Sequence, residues 1–260
     1  MRLGWELLKK RIIPVQLLLN DRLVKTRQFG SHRDVGDPVA SSKVYNAQNA
    51  DELVFLNINR GSRDIEPLLS VLERVSAVSF MPLALGGGIT TFDAARRLIR
   101  SGADKVVLNS AVYGDRSLIS RVVDSFGSQA VIVSVDVRLD EASDRYELYS
   151  NCGRVAESVT LAEHLEQVTA AGAGEILINS IDRDGTMTGY DIPLLKQVSG
   201  AVRVPVIGCG GAGHYNHLKD AFLATGVSAL ACGSLFNFTD SNPIRAKAFL
   251  TNYGLAFKTV

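Results

Sequence analysis

The sequence predicts an α/β fold, a single (β/α)8 barrel of the TIM-barrel type that occupies residues 1–260 as one domain. Short apolar segments alternate with helix-like segments eight times, as in parallel strands joined by crossover helices. The length of 260 residues is close to the about 250 residues of one such barrel. A glycine-rich pattern also recurs in the two halves of the chain, which indicates a half-barrel internal repeat.

The predicted strands are continuous apolar runs, as expected of strands covered on both faces in a parallel sheet. They cover residues 11–19, 52–58, 81–85, 105–110, 130–136, 175–180, 204–208 and 228–232. A turn at Asn20-Asp21 follows the first strand, and the polar residues 26–37 predict a long loop there. Long loops after barrel strands are usually functional.

Amphipathic segments between the strands predict helices at 38–46, 64–78, 91–102, 118–126, 160–171, 192–198 and 217–224. Asp37 followed by Pro38 is a typical helix start, and Gly102 is a typical helix end. Residues 138–154 are polar with alternating apolar positions and predict a hairpin after the fifth strand.

Composition limits the possible functions. The chain is 46% hydrophobic and 21% charged with a net charge of +1, so nothing indicates binding to nucleic acid or to a charged membrane surface. No segment has transmembrane length, and the N-terminus lacks the apolar run of a signal peptide. Cys152, Cys209 and Cys232 are far apart without CxxC spacing. We therefore expect no disulfide framework, no metal site, no cofactor and a cytoplasmic location.

The repeat is most evident in residues that follow the strands. The pair Gly86-Gly87 recurs as Gly210-Gly211, and at the same separation Ser110 recurs as Ser234. Glycines directly after a strand let backbone N–H groups approach a phosphate. The repeat predicts two phosphate cradles on opposite sides of one barrel mouth, and a doubly phosphorylated or similarly long ligand. The alternative is a plain strand–helix–strand unit with turn glycines.

Six motifs make the chain similar to one family from about Lys10 to Phe238. The sequence resembles the cyclase subunit of imidazole glycerol phosphate synthase in the segments 51–56, 86–89, 126–131, 172–177, 180–186 and 210–213. The resemblance implies a barrel that receives ammonia from a glutaminase subunit of the HisH type docked on its bottom face, forming a heterodimer. It also implies a bisphosphorylated ribonucleotide as substrate at the top face. The products would be imidazole glycerol phosphate and an aminoimidazole carboxamide ribotide.

The resemblance assigns two groups of binding residues. One phosphate cradle would contain Gly88, Asn109 and Ser110, and the other Asp184, Gly185, Gly211, Gly233 and Ser234. A carboxylate repels phosphate, so Asp184 fits a contact to sugar hydroxyls or the ordering of its loop better. For Asn109 and Ser110 the alternative role is a turn cap.

The family also has a gate to its ammonia passage, formed by four charged residues where barrel strands begin. The matching positions here are Arg11, Glu52, Lys105 and Glu175. Two charges of each sign can neutralise one another in a narrow, partly desolvated ring. The alternative is that they are merely solvated strand ends.

The catalytic positions depart from the family. Asp136 matches the aspartate of the fifth strand, and Lys25 matches the lysine of the first loop, but Leu17 stands where the family has its other acid–base aspartate. Asn57 replaces a further aspartate. Asp136 and Lys25 are therefore the predicted catalytic residues. The alternative for Asp136 is a helix cap or loop anchor, and the alternative for Lys25 is an ordinary exposed lysine.

Two segments resemble a family branch associated with surface-polysaccharide (LPS, O-antigen) genes: Leu17-Leu18-Leu19 at the end of the first strand and Met81-Pro82-Leu83 before the triple glycine. The resemblance implies that the chain supplies ammonia for an acetamidino group on a sugar. This role is the first functional prediction. A histidine-pathway cyclase, a non-catalytic scaffold that activates the glutaminase and conducts its ammonia, and a phosphosugar isomerase are the alternatives.

Overall fold

The structure is a computed structural model that describes residues 9–59 and 63–258. Eight parallel strands form a closed barrel, as predicted. The strands are β1 Arg11–Leu19, β2 Leu53–Asn57, β3 Leu83–Gly86, β4 Lys105–Leu108, β5 Val131–Asp140, β6 Glu175–Ser180, β7 Val206–Cys209 and β8 Ala229–Cys232. Each strand pairs with the next, and β8 pairs with β1 with Arg11 opposite Ala229, so the eight-stranded barrel is closed.

Helices connect the strands on the outside of the barrel. They are α1 Pro38–Ala47, α2 Glu66–Ser76, α3 Phe92–Arg100, α4 Ser117–Phe126, α5 Leu161–Ala170, α6 Ile192–Ala201, α7 Tyr215–Ala224 and α8 Pro243–Thr251. Short helical turns also occur at Ser110–Gly114, Ser128–Ala130 and Ser234–Phe238. Asp37 caps α1 as predicted, because its carboxylate accepts hydrogen bonds from Val39 N and Ala40 N at 3.0 and 2.9 Å.

The strands separate two apolar cores. The larger core lies between the strands and the helices, where outward-facing side chains such as Ile12 and Phe55 are fully buried. The smaller core fills the barrel interior with Ile13, Val15, Val54, Ala84, Val107, Ile132, Leu177, Ile207, Ala229 and Ala231. The lumen is therefore lined mostly by apolar side chains, several of them small, with Ser134 opposite Leu177 as a polar member.

The prediction of a long irregular loop at residues 26–37 is wrong, because part of this segment forms a strand. Arg22–Thr26 and His32–Gly36 are strands, and the first of them pairs antiparallel with the end of β1, with Leu17 opposite Val24. Buried Leu23 and Val24 pack this hairpin onto the barrel. Because of this packing, the segment after β1 is a β-extension over the barrel mouth.

Two other segments bear on the predictions. The hairpin predicted after the fifth strand is confirmed: Arg145–Ser150 pairs antiparallel with Asp136–Asp140, and Val155–Ala156 adds a third short strand. The connection to the first strand predicts that residues 1–10 lie at the barrel bottom, but residues 1–8 lie outside the described residues. Lys10 is described there, and its Nζ donates to Val227 O at 2.7 Å.

In the described parts of the chain, no helix has the length and apolarity needed to cross a membrane.

Candidate active site

The half-barrel repeat is visible in backbone conformation. Gly87 and Gly88 after β3 have φ angles of +88° and +79°, and Gly210 and Gly211 after β7 have +92° and +104°. A Cβ on Gly87 would overlap the carbonyl oxygen of Asn57, so no other residue fits there. The residues before the two short helices also resemble each other in backbone angles. Asn109 after β4 has φ −139° and ψ −96°, and Gly233 after β8 has φ −111° and ψ −81°.

The structure brings all the predicted catalytic and phosphate-binding residues to one cavity. It lies at the carboxyl ends of the strands, the usual place of a site in this fold, and has a volume of about 210 Å³. Among its lining residues are Lys25, Gly88, Asn109, Ser110, Asp136, Asp184, Gly185, Gly211, Gly233 and Ser234. The two glycine-rich turns form parts of its wall, so a ligand that contacts both must extend across the mouth.

Asp136 lies in the floor of this cavity at the end of the barrel portion of β5. Its Oδ2 accepts a hydrogen bond from Asn109 Nδ2 at 2.7 Å, and its Oδ1 accepts one from Asn179 Nδ2 at 3.4 Å. Burial raises the pKa of the carboxyl to about 7, against the lowering effect of the two amides. A carboxyl with this pKa can take up or release a proton near neutral pH.

Lys25 extends from the β-hairpin into the cavity, where it is buried, which contradicts the alternative of an exposed lysine. Its Nζ donates a hydrogen bond to Val15 O. Desolvation lowers the pKa of the amine to about 8, partly offset by the negative charge of Asp184. A Cβ on Gly233 would lie 2.9 Å from Lys25 Nζ, so the glycine leaves room for the ammonium group.

Asp184 connects the loop after β6 to the β-hairpin. Its Oδ2 accepts hydrogen bonds from Thr26 Oγ1 at 2.8 Å and from Phe29 N at 3.3 Å. The backbone supports the same contact, because Gln28 N donates to Asp184 O at 2.9 Å. Gly185 has φ +68°, and a Cβ there would overlap Thr26 O. Asp184 therefore orders its loop, one of the two roles predicted for it.

The two positions that depart from the family also line the cavity. Leu17 points its apolar side chain into the mouth beside Leu56 of the neighbouring strand. Asn57 instead orders the loop after β2: its Oδ1 accepts from Asn59 N at 3.0 Å, and its Nδ2 donates to Asp64 O at 3.2 Å.

Asn179 at the end of β6 was missed by the sequence reasoning. It lines the cavity and lies directly opposite Asp136 in the register of β5 and β6. The available signal was a polar residue near the end of an otherwise apolar strand, the kind of position that Asn109 and Asp136 also occupy.

The four predicted gate residues meet at the other end of the barrel. Arg11 Nη1 lies 3.0 Å from Glu52 Oε2, while Arg11 Nη2 pairs with Glu175 Oε2. Lys105 Nζ lies 2.7 Å from Glu52 Oε2 and 2.6 Å from Glu175 Oε1. The four side chains form a closed ring of alternating charge, so they are not solvated strand ends.

Burial and pairing act differently on the two ring carboxylates. Burial raises the pKa of Glu52, and its two cationic neighbours only partly oppose this effect. At Glu175 burial also raises the pKa, but the hydrogen bonds and charges of Arg11 and Lys105 together bring it below the usual value. The ring is therefore held together by charges that are largely removed from water.

The described cysteines, Cys152, Cys209 and Cys232, form no disulfide. Cys209 lies in the cavity wall at the end of β7, and burial raises the pKa of its thiol far above the usual value. This thiol is held in its protonated, unreactive form.

Comparison with known proteins gives consistent results over nearly the whole chain. Residues 11–242 match the protein family described as "Histidine biosynthesis protein". The chain is 41% identical over 254 residues to "Imidazole glycerol phosphate synthase subunit HisF" of Hyphomonas neptunium, covering 98% of this chain and 100% of that protein. It is also 41% identical over 249 residues to the protein of the same name from Caulobacter vibrioides, covering 96% of each.

Proposed function

Because the chain belongs to the histidine biosynthesis protein family and to the HisF-type subunits within it, we propose that it is the ammonia-using subunit of a two-component synthase. In this proposal a HisH-type glutaminase docks at the ring end of the barrel, in the cytoplasm, and releases ammonia there. The ammonia crosses the apolar lumen and reacts with a phosphorylated ligand in the cavity at the other end. The observation that carries the proposal is the order of three features along one barrel: a charged ring, an apolar lumen, and a cavity with two glycine-rich turns in its wall.

Neutral ammonia suits this route better than the ammonium ion. The lumen between the ring and the cavity is formed by apolar side chains such as Val107, Leu177 and Ala231, where an unpaired charge would be costly. The ring pairs its own charges and leaves no net charge to attract an ion. A small neutral molecule therefore meets the lower barrier.

Each chain half would hold one terminal phosphate of the ligand. Backbone N–H groups near Gly88 and Ser110 form one cradle, and those near Gly211 and Ser234 form the other. Lys25 supplies a cation at the mouth, and Asp136 acts as general acid–base on the group between the phosphates. This arrangement fits the bisphosphorylated ribonucleotide that the family resemblance implies.

A second candidate is favoured by Leu17. Leucine cannot transfer a proton, so the mouth has one acid–base aspartate where the family cyclase uses two. The same ammonia route would then serve amidination of an acetamido sugar in surface-polysaccharide synthesis, with a sugar-nucleotide-related substrate. A scaffold that only activates the glutaminase is the non-catalytic version of this candidate.

A direct assay separates these candidates. The purified chain is given an ammonium salt and the bisphosphorylated ribonucleotide, and formation of imidazole glycerol phosphate is followed. Product formation at a rate that depends on Asp136 supports the cyclase. No product, together with an increase in glutamine hydrolysis by the added glutaminase, supports the second candidate. No product and no effect on the glutaminase would contradict both.

Leu17→Asp tests the importance of the missing carboxylate. The new side chain would line the cavity near Lys25, so we expect the cyclase rate to rise about tenfold or more, within the range of a general acid–base group. Leu17→Asn is the matched control, because it adds polarity without a titratable proton. An equal rise in both variants would show that proton transfer at position 17 is not the limiting feature.

Phe80 offers a test of the docking face. This side chain is 89% exposed and lies in the loop before β3, at the end of the barrel that holds the ring. Exposed aromatic side chains often anchor interfaces. We expect Phe80→Asp to weaken binding of the glutaminase about tenfold or more, measured by titration calorimetry. Phe238→Asp, at the opposite end of the barrel, should leave binding unchanged; equal weakening by both would contradict docking at the ring end.

A further inference from the structure

Two carboxamides hold the carboxylate of Asp136 at the floor of the cavity. Asn109 directly follows β4, and Asn179 is the second-last residue of β6; these two strands lie on either side of β5. Each donates its Nδ2 hydrogen to a different oxygen of Asp136. Since an ionised carboxylate only accepts hydrogen bonds, both amide oxygens are turned away from it.

These two oxygens are buried acceptors without a donor. Asn109 Oδ1 and Asn179 Oδ1 have no hydrogen-bond partner among the described residues, although both residues line the cavity. A buried polar atom without a partner costs about 1–3 kcal/mol, and such atoms are rare enough to need an explanation. Together with Asp136 they form a cluster of acceptors that fits a ligand rich in N–H donors.

The cluster also has a specific position relative to the ring. In β4, Lys105 and Val107 precede Asn109 on the inward-facing side, and in β6, Glu175 and Leu177 precede Asn179 in the same way. One layer of mostly apolar side chains therefore separates the charged ring from the acceptor cluster. In this layer Ser134 of β5 lies opposite Leu177, so a molecule that moves up the lumen passes the Ser134 hydroxyl and then meets the cluster.

Gly210 provides space beside one of the acceptors. A Cβ at this position would lie 3.1 Å from Asn179 Oδ1. A side chain there would crowd the oxygen from the side of β7, whereas the glycine leaves room for a small donor.

We propose that Asn109, Asn179 and Asp136 form an ammonia-receiving subsite at the top of the lumen, an inference that rests on the proposed function. Ammonia carries three N–H donors and one lone pair. The three acceptors bind its hydrogens and leave the lone pair directed toward the ligand held between the phosphate cradles. Asn179 is a positioning residue in this scheme, because it orients both ammonia and the Asp136 carboxylate.

Binding can be tested without turnover. The side-chain NH₂ signals of Asn109 and Asn179 are followed by ¹⁵N NMR while ammonium chloride is added at alkaline pH, where part of it is ammonia. We expect saturable shifts of both signals. Tetramethylammonium chloride, which has no N–H donor, should cause none. The absence of shifts, or equal shifts with both salts, would overturn the proposal.

A matched pair of variants assigns the effect to Asn179. Asn179→Val and Asn179→Thr have nearly the same shape, but only threonine retains an oxygen that can accept a hydrogen bond. We expect the shift at Asn109 to be lost in the valine variant and retained in the threonine variant. Ser180→Ala, next to it but outside the cavity lining, should behave as the unchanged protein. If the valine variant does not fold, loss of the shift in the folded threonine variant still contradicts the proposal.

A kinetic arm connects the subsite to the proposed reaction. In the ammonium-dependent assay we expect Asn179→Val to raise the KM for ammonium about tenfold and leave the KM for the ribonucleotide unchanged. An equal rise in both constants would indicate a general structural effect and contradict the subsite. If the unchanged protein makes no product but shows the NMR shifts, the proposed cyclase function fails while the subsite stands.

Discussion

Asp136→Asn is expected to lower kcat of the ammonium-dependent reaction by about 10²–10⁴-fold, the usual contribution of a general acid–base group. Asparagine keeps the shape of the side chain and its place between Asn109 and Asn179, but it cannot transfer the proton. Ligand binding should be retained, because the phosphate cradles are formed by other residues. Steady-state kinetics and a binding titration on the same sample give the two quantities.

The matched control is Asp124→Asn, an exposed aspartate on α4, which should change neither quantity. Retention of kcat within a factor of three in Asp136→Asn would contradict the role proposed for this carboxyl. Equal loss of binding and kcat would instead indicate that the cavity had collapsed.

The same variant has a predictable effect on stability. Burial raises the pKa of Asp136 to about 7 from its usual value of 3.8, so the folded state binds this proton more tightly than the unfolded state. Its contribution is therefore most favourable below about pH 4 and is lost as the pH rises toward 7. We expect the free energy of unfolding of Asp136→Asn, relative to the unchanged protein, to increase between pH 5 and pH 8. A constant difference across this range, measured by urea unfolding, would contradict the raised pKa.

Lys105→Met is expected to destabilise the protein by about 3 kcal/mol, because breaking a buried ion pair leaves its partners without compensation. Lys105 binds both Glu52 and Glu175, whose side chains are 3% and 10% exposed. After the change only Arg11 remains to neutralise two buried carboxylates. Urea unfolding at neutral pH measures the loss.

Two further variants make this result specific. Arg121→Met removes an exposed ion pair with Asp115 and should cost less than about 1 kcal/mol. The double variant Lys105→Met, Glu52→Gln restores the charge balance of the ring and should recover part of the loss. A double variant that is less stable than the sum of its single changes would contradict the view that uncompensated charge is the cause.

The barrel was predictable because its strands are continuous apolar runs that are easy to recognise in the sequence. The apolar run of β1 has the predicted bounds, and the predicted β6 matches from Glu175 to Ser180. The hairpin at residues 22–36 was not recognised, because its second strand is mostly polar and exposed. α8 was also missed, although Asn242 before Pro243 is a typical helix start and caps Arg245 N at 2.9 Å.

The residues of the site were predictable only where a single residue or motif in the sequence identifies them. The ring followed from the family resemblance, which assigns charged residues to the starts of four strands, and in the structure these side chains meet. The burial of Lys25 depends on a hairpin folding back over the mouth. The turn at Asn20-Asp21 was recognised in the sequence, but the pairing of the strand after it with β1 was not. The unpartnered oxygens of Asn109 and Asn179 exist only because three strands meet, so no motif could reveal them. The chemical roles of all these residues stay predictions.

The contact between Asp184 and the hairpin has a consequence for the timing of a reaction cycle. Thr26 and Phe29 are fastened to the loop after β6 by the same carboxylate, so any movement that uncovers the mouth must break both bonds at once. Such a fastening slows the exchange of molecules between the cavity and the solvent in both directions. Loosening it would speed both entry and product release.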